Sequence, residues 1–399
     1  MNRLLWILNG CGLEGGSVTG GPVRFHEISR RWQGGVEQRL MTTPGGERML
    51  RRMGCAIEAG IVPASLFLRR EPFRAFRLWS YIVTAFAWRR RRAAFDRFLR
   101  DGGADLPPAI VTVSDYFCDI FPAVALKRRT GARWTAWIHH RETPPSSRPG
   151  NRLANELTYR LQEWSLRRIA RHADAAWVYD TEAGDLVRAR LAAFGMEPAR
   201  IRTMRCGVNV SDIAAAPEPP AKVVDAAMVG VRPNKGLFDI LPVWERVLAR
   251  RPGTTLRLMG GMSGEGEVLA EIRRRGLDGV ISAPPPGGGL LPAETYYSRL
   301  KEARVLFAPS HEEGWGIAVC EAMAAGVPVV AYDLPVYRRI YGDAFRKVTC
   351  FDHDAFADAI VSLLDDKAAW AAARRIGLEK AAGFDWSALA ADDFAALFR

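Results

Sequence analysis

The chain has 399 residues, of which 48% are hydrophobic and 25% charged, and this predicts two soluble domains with sizeable cores. Its six cysteines include no CxxC pair, which argues against a zinc site or a disulfide framework and favours reduced thiols in a cytosolic protein. The net charge of +12 is uneven: residues 1–210 hold 34 Lys and Arg against 19 Asp and Glu, whereas residues 211–399 hold 22 against 25. We therefore expect the first half to face an anionic partner.

The N-terminal strand is followed by a glycine-rich stretch. Leu4 to Leu8 predicts a buried strand and is too short for the core of a signal peptide. Residues 10–15 match GxGxxG, but the match is weak as a dinucleotide motif. Glycines continue to Gly20 and Gly21, and the next strand, near residues 36–43, ends in threonines and lacks the acid that would hold a ribose. We expect the first helix to begin at Pro22, with a flexible surface loop as the alternative for the preceding glycines.

Residues 69–100 combine arginines with apolar side chains. Eleven uncharged residues, Leu78 to Trp88, are followed by four arginines, Arg89 to Arg92. Eleven residues are too few to span a bilayer, but such a helix can lie on an anionic membrane surface. The alternative is an ordinary domain helix with solvated arginines. Nucleic acid is not expected as a partner, because no binding motif accompanies the charge.

Two histidines follow a predicted strand later in the first half. Trp134 to Ile138 is the strand, and His139 and His140 come directly after it. A histidine at the carboxyl end of a strand can reach an active site, whereas a surface pair is the alternative. Residues 141–151 are polar and proline-rich, which predicts a mobile loop able to close over an acceptor. Three prolines between residues 214 and 221 indicate a linker to the second domain.

The second domain opens with a strand, Ala226 to Val229, and a basic turn. Arg232 and Lys235 precede Gly236 and a predicted helix. Two cations beside a glycine turn suit a diphosphate, while a solvated turn is the alternative.

Residues 305–333, VLFAPSHEEGWGIAVCEAMAAGVPVVAYD, predict a strand, a turn, a helix and a second strand. The loop follows the carboxyl end of the first strand, where open α/β sheets bind ligands, and the first helical amides suit a phosphate. Gly314 and Gly316 allow the backbone to approach a ligand closely. Glu313 in the loop and Glu321 in the helix can hold hydroxyl groups at two depths of one pocket, as a sugar nucleotide requires. Two solvated acids are the alternative.

The string PSHEEGWGIAVCEAMAAGVPVVA resembles the signature of the family-4 retaining glycosyltransferases, with Trp315 in place of the usual Phe. The resemblance implies an α/β protein of the GT-B fold, with two Rossmann-like domains facing each other across a cleft. We expect an acceptor-side domain at 1–206, a linker at 207–222, a nucleotide-sugar-binding domain at 223–380 and, at 381–399, a helix that crosses back to the first domain.

The resemblance also implies roles for particular residues. His139 would lie close to the transferred sugar, with His140 as the second candidate. Glu313 would hold the sugar hydroxyls, and Lys235 would neutralise the diphosphate, which gives His139, Glu313 and Lys235 as catalytic residues. The expected donor-binding residues are Gly20, Gly21, Arg232, Lys235, Gly314, Trp315, Gly316, Ile317 and, for the ribose, Glu321.

The expected activity is transfer of a hexose, with retention, from a nucleotide diphosphate sugar to an acceptor hydroxyl on a lipid-linked or cell-surface glycan. No metal and no cofactor besides the donor is expected. Asp352-His353-Asp354 matches a DxD metal motif, but it precedes a predicted helix and is expected to cap it. We expect a cytoplasmic protein, peripheral on the inner face of the membrane through residues 69–100. The alternatives are an epimerase or phosphorylase on the same fold, or a non-catalytic basic protein that binds membranes or RNA.

Overall fold

A computed structural model of the chain describes residues 1–10, 20–62, 82–101, 108–142, 144–147, 151–262, 265–284 and 291–398. Most of the GxGxxG motif and residues 69–81 of the arginine-rich segment lie outside these ranges. The chain forms two compact units, one of Met1–Arg205 with Ser387–Arg399 and the other of Cys206–Trp386. Within the described ranges, no helix is both long enough and apolar enough to span a bilayer.

The first unit is built on a seven-stranded parallel sheet in the order β3-β2-β1-β4-β5-β6-β7. The interior strand β1 is apolar and buried from Leu4 to Leu8, as expected for a parallel sheet covered by helices. The edge strand β3 was not predicted, because four residues around a glycine carry little strand signal. The strands are β1 (Asn2–Leu8), β2 (Val36–Thr42), β3 (Glu58–Ile61), β4 (Ala109–Thr112), β5 (Arg133–Ile138), β6 (Ala175–Tyr179) and β7 (Ile201–Met204).

Helices connect these strands, and the first one begins earlier than predicted. Helix α1 starts at Gly20 and not at Pro22. A side chain at Gly21 would bring its Cβ to 2.9 Å from Nε2 of His139, so the glycine lets the helix start pack against the end of β5. The helices are α1 (Gly20–Arg31), α2 (Pro44–Arg52), α3 (Arg92–Arg100), α4 (Phe117–Thr130), α5 (Arg152–His172) and α6 (Glu182–Ala193).

The second unit is built on a six-stranded parallel sheet in the order β10-β9-β8-β11-β12-β13. Its strands are β8 (Val224–Val231), β9 (Leu256–Met262), β10 (Ile281–Ser282), β11 (Ala303–Ala308), β12 (Val329–Tyr332) and β13 (Arg346–Val348). Its helices are α7 (Val210–Ala215), α8 (Ile240–Arg250), α9 (Gly266–Arg274), α10 (Ala293–Lys301), α11 (Ile317–Ala324), α12 (Pro335–Tyr341), α13 (His353–Asp365) and α14 (Lys367–Ala382).

The segment predicted as a linker, residues 207–222, lies within the second unit and contains α7. The Lys301 ammonium is almost fully buried there, donates to the carbonyl of Ala216 at 2.7 Å and pairs with Glu218 at 3.1 Å. A buried cation needs such partners, because an unpaired charge costs several kcal/mol, on the order of 3–5. Lys301 therefore fixes this segment to the second unit.

The last helix, α15 (Trp386–Phe398), belongs to the first unit from Ser387 onward. Asp393 on this helix forms an ion pair with Arg24, whose fully buried guanidinium lies 4.0 Å from the ring centre of Trp137. The indole of Trp32 donates to the carbonyl of Ala390 at 2.9 Å. The C-terminal helix thus completes the first unit and begins at Trp386, five residues after the predicted boundary at residue 381.

Candidate active site

Two loops of the second unit meet at the carboxyl edge of its sheet. They follow β8 and β11, which are parallel neighbours with Val305 paired to Ala226. The His311 amide donates to the carbonyl of Asn234 at 3.0 Å, which ties one loop to the other. Parallel strands end at the same edge, so residues about 80 positions apart come together where ligands bind in open α/β sheets.

Lys235 and Glu313 are joined by an ion pair between these loops. The two side chains are only 16% and 10% exposed, so water screens the pair little. Lys235 follows Pro233 in a 3₁₀ turn that ends at Gly236, where φ is +82°. A Cβ on Gly236 would lie 2.2 Å from the carbonyl oxygen of Pro309. Glycine is therefore required at this position both by the backbone angle and by the approach of the second loop.

Arg232 lies at the start of the same turn and is half-buried. Its Nε is buried and has no hydrogen-bond partner in the described part of the chain. Because a buried guanidinium N–H without a partner is costly, this group suits an anionic ligand such as a phosphate. The structure thus brings both predicted cations to one turn.

The carboxylate of Glu313 lies among polar groups of its own unit. Ser310 donates from Oγ to Glu313 Oε1 at 3.0 Å. Burial, followed by the nearby charge of Glu313, raises the pKa of Tyr337 well above its ordinary value, so this phenol stays protonated. Glu313 is therefore held by Ser310 and Lys235 beside a buried hydroxyl.

The glycine turn before α11 has a conformation that only a glycine adopts easily. Gly316 has a φ of +88°, and a Cβ there would lie 2.7 Å from the ring of Tyr337. By contrast, Gly314 is exposed and has no packing requirement among the described residues. Ile317 is the first residue of α11, so the free first-turn amides begin at this point. These amides are the groups that can receive an anion at the helix start.

Trp315 is a core residue of the second unit. Its side chain is 5% exposed, and its ring centre lies 5.1 Å from that of Phe384 and 5.4 Å from that of Tyr341. The Tyr341 hydroxyl donates to the Trp315 and Gly316 carbonyls at 3.3 and 3.2 Å. Packing of the Trp315 side chain in the core thus fixes the turn, and only the backbone of Trp315 remains available to a ligand.

Glu321 lies one turn into α11 and is oriented by a residue that the sequence did not indicate. The hydroxyl of Tyr296, on α10, donates to Glu321 Oε2 at 2.8 Å. Burial, followed by the Glu321 charge, raises the pKa of Tyr296 well above its ordinary value. Tyr296 therefore remains a donor and fixes one oxygen of the carboxylate.

A second unpredicted residue, Asp239, joins four segments beneath the loops. Its carboxylate is almost fully buried and accepts from Tyr332 at 2.6 Å, from His311 at 2.7 Å and from His353 at 3.1 Å. Hydrogen bonds from these three donors compensate for the free-energy cost of burying the Asp239 carboxylate. Because His311 lies two residues before Glu313, Asp239 also fixes the loop that carries the acid. The position of Asp239, four residues after Lys235, gave no local signal for this role.

The predicted histidine of the first unit has both ring nitrogens engaged. His139 Nε2 lies 2.6 Å from the carbonyl of Val113, and Nδ1 lies 3.2 Å from the hydroxyl of Tyr179. A carbonyl only accepts, so Nε2 carries the proton and Nδ1 accepts from the phenol. Burial, with the nearby charges of His140 and Arg24, lowers the pKa of His139 to about 4. The ring is therefore neutral near pH 7 and has a fixed tautomer next to Gly21.

Other polar groups lie at the same edge of the first sheet. Asp119, which was not predicted, accepts from the Asn9 amide at 2.6 Å and from Ser114 at 2.5 Å. Burial raises the pKa of Asp119 to about 7. The hydrogen bonds favour the charged form and lower the pKa, but the effect of burial is larger. The second candidate histidine, His140, lies 3.4 Å from a carboxylate oxygen of Glu142.

The predicted role of the DxD-like sequence as a helix cap is confirmed. Asp352 accepts from the Ala355 amide at 2.9 Å, His353 binds Asp239, and Asp354 pairs with Arg246 at 3.0 Å. These three side chains thus have separate structural partners. Across the ranges that the structure describes, no three His, Cys, Asp or Glu side chains are grouped as metal ligands.

Comparison with known proteins gives one family. Residues 214–380 match the family described as Glycosyl transferases group 1. A D-inositol 3-phosphate glycosyltransferase of Kribbella flavida is 30% identical over 239 residues, which are 54% of this chain and 54% of that protein. The chain thus spans about half the length of this curated relative.

Solved structures resemble the chain over nearly its whole length. Sucrose-phosphate synthase from Thermosynechococcus elongatus matches with a TM-score of 0.73 at 17% identity, over 99% of this chain and 98% of that one. HepE of Anabaena, solved in complex with UDP and glucose, matches with a TM-score of 0.70 at 13% identity, over 100% and 99%. At these identities the likeness concerns the fold, which is GT-B, as predicted.

Proposed function

Because residues 214–380 match the glycosyl transferases group 1 family, we propose that the chain transfers a hexose from a nucleotide diphosphate sugar to an acceptor hydroxyl with retention of configuration. The observation that carries the proposal is the ion pair of Lys235 and Glu313. A cation that suits a diphosphate and an acid that suits sugar hydroxyls are neighbours in this mostly buried pair, which supports the proposal. The complexes of HepE with UDP and glucose support this class of donor.

The second unit supplies the donor-binding groups in this proposal. Lys235 and Arg232 neutralise the diphosphate, together with the amides from Gly316 onward. Glu313 holds hydroxyls of the transferred sugar, and Glu321, oriented by Tyr296, holds the ribose. In the first unit, we propose Gly20, Gly21 and His139 as site residues.

The proposed reaction needs no covalent nucleophile. The bond between the anomeric carbon and the diphosphate oxygen breaks, and a bond to the acceptor oxygen forms on the same face of the sugar. The leaving diphosphate takes the acceptor proton, while Lys235 and Arg232 stabilise the charge that develops on it. Two cationic side chains here supply the charge that a metal supplies elsewhere, so we propose that no metal and no further cofactor is used.

We propose a lipid-linked or cell-surface glycan as the acceptor, and a cytoplasmic enzyme that works at an anionic membrane surface. The charge of the first half supports an anionic acceptor environment. The described part of residues 69–100 exposes Arg89 to Arg92 on a 3₁₀ turn and the start of α3. These arginines have no carboxylate partner in the part of the chain that the structure describes.

Calorimetric titration with a panel of nucleotide sugars tests the donor proposal, and product analysis with and without acceptor tests transfer. Transfer requires the acceptor and yields the same anomeric configuration as the donor. An epimerase would change the sugar without an acceptor, and a phosphorylase would need phosphate. A basic binding protein without activity would bind none of the donors, which would overturn the proposal.

A further inference from the structure

A cluster of four aromatic rings lies on the surface of the first unit. The ring centres of Phe86 and Phe121 are 4.6 Å apart, those of Phe117 and Trp164 are 4.7 Å apart, and Phe117 links to Phe121 at 5.7 Å. Phe86 is 42% exposed and the other three rings are partly exposed. Phe121 and Trp164 also pack against the core of the first unit, so the exposed parts of the four rings form an apolar surface above it, of the kind that marks a binding surface.

The cluster continues as an apolar stripe along α5. Leu153, Leu157, Leu161 and Trp164 follow one another at intervals of three or four residues, which places them on one face of the helix. Leu153 is 81% exposed and Leu157 is 40% exposed. Neither of these two side chains belongs to the buried core of the first unit.

Arginines border the aromatic rings. The Arg89 guanidinium lies 5.3 Å from the ring centre of Phe86 and 5.9 Å from that of Phe121, and Arg168 lies 5.3 Å from that of Trp164. Neither arginine has a carboxylate partner in the ranges that the structure describes. The charges therefore remain available to an anionic surface, while the arginine stems lie along the rings.

We propose that this aromatic–arginine patch (Phe86, Phe117, Phe121, Trp164, Arg89 and Arg168), with the α5 stripe, docks the protein on an anionic lipid bilayer. Aromatic and leucine side chains enter the interface between headgroups and acyl chains, and arginines bind the headgroups. The patch lies mainly on α4 and α5, so it differs from a surface limited to residues 69–100. It deepens the proposed membrane location and rests on that part of the proposed function, whereas sugar transfer is tested separately, because docking requires no donor or acceptor.

Sedimentation of the full chain with lipid vesicles tests the proposal. The protein should bind phosphatidylcholine vesicles that contain phosphatidylglycerol, bind pure phosphatidylcholine far less, and be released by salt. Arg89→Gln with Arg168→Gln should weaken binding about ten-fold or more, from the loss of two headgroup contacts. Phe86→Ser with Leu153→Ser should weaken it as well, with little effect on folding, because both side chains are exposed.

Matched controls lie outside the patch. Arg273→Gln with Arg299→Gln removes the same charge from exposed positions of the second unit, and Phe238→Ser removes an aromatic ring that is 55% exposed. These variants should bind vesicles like the wild type. Thermal melting verifies that every variant is folded.

Failure of the wild type to bind anionic vesicles, as expected if an acidic protein covers the patch, would overturn the proposal. Equal losses in the patch and control variants would do the same.

Discussion

Lys235 and Glu313, from loops 78 residues apart, form an ion pair with each other. In the proposed function these groups serve different parts of the donor, the diphosphate and the sugar. The ion pair couples the two roles, because the carboxylate and the diphosphate compete for the same ammonium group. A change at either residue should therefore alter the behaviour of the other.

The first prediction concerns this coupling. Lys235→Ala should reduce nucleoside diphosphate affinity ten-fold or more, because a charge-assisted contact contributes about 1.5–3 kcal/mol. Glu313→Gln should leave that affinity unchanged or raise it, since Lys235 loses its competing partner. Calorimetry on both single variants and the double variant measures the coupling energy. Full affinity in Lys235→Ala would remove Lys235 from the diphosphate site, whereas a raised affinity in Glu313→Gln that persists in the Lys235→Ala background would contradict the competition for Lys235.

The second prediction separates the two glutamates. Glu313→Gln should depress turnover strongly while free nucleoside diphosphate still binds, because in the proposed function Glu313 contacts the reacting sugar and no other part of the donor. Glu321→Gln should weaken the free diphosphate and the intact donor alike, as a uniform loss of binding. Steady-state kinetics and calorimetry distinguish these patterns, with a chelator as control for metal effects. Identical defects in both variants, or loss of wild-type activity on chelation, would contradict this division of roles.

The third prediction tests the orientation of Glu321 by Tyr296. Tyr296→Phe removes only the hydroxyl that donates to Glu321, a contact expected to contribute about 1.5–3 kcal/mol to positioning the carboxylate. Nucleoside diphosphate should bind several-fold more weakly in Tyr296→Phe, whereas inorganic pyrophosphate, which has no ribose, should bind as it does to the wild type. In a Glu321→Gln background the same change should have little further effect. Weaker pyrophosphate binding would instead indicate a general disturbance of the site.

The fourth prediction concerns the glycine turn beside Lys235. Gly236→Ala should destabilise the protein by about 1–3 kcal/mol or more, because φ is +82° and the new Cβ would meet the Pro309 carbonyl. Gly261→Ala is the matched control, since a Cβ there meets no described atom within 4 Å. Thermal unfolding measures both variants. Equal melting temperatures for the two would contradict the close approach of the loops.

The fifth prediction concerns pH. His139 takes up a proton near pH 4 in the folded protein and near its ordinary value of 6.5 when unfolded. The unfolded state therefore binds more protons between these values, and the stability contributed by neutral His139 is lost as the pH falls from 6.5 to 4, by up to about 3 kcal/mol. His139→Gln cannot titrate, so the stability difference between wild type and variant should shrink across this window. NMR titration of the imidazole provides an independent measurement, and a pKa near 6.5 would refute the prediction.

The local features of the second unit could be predicted from the sequence alone. The strand, glycine turn and helix around Glu313 depend on apolar runs, glycines and helix formers that are adjacent in the chain. The capping role of Asp352 also depends on a residue three positions away, and it is confirmed. Such signals act within one turn or one strand, so they need no knowledge of the fold.

Tertiary structure alone determined which distant residues meet. The order of strands puts β8 beside β11, and this pairing brings Lys235 to Glu313. Tyr296 reaches Glu321, and Asp239 gathers donors from three other segments, only because separate helices and strands pack on one sheet. The sequence placed Trp315 in the ligand loop, but packing buried its side chain. A residue's neighbours along the chain set its local conformation, whereas long-range packing decides its partners, its exposure and hence its chemistry.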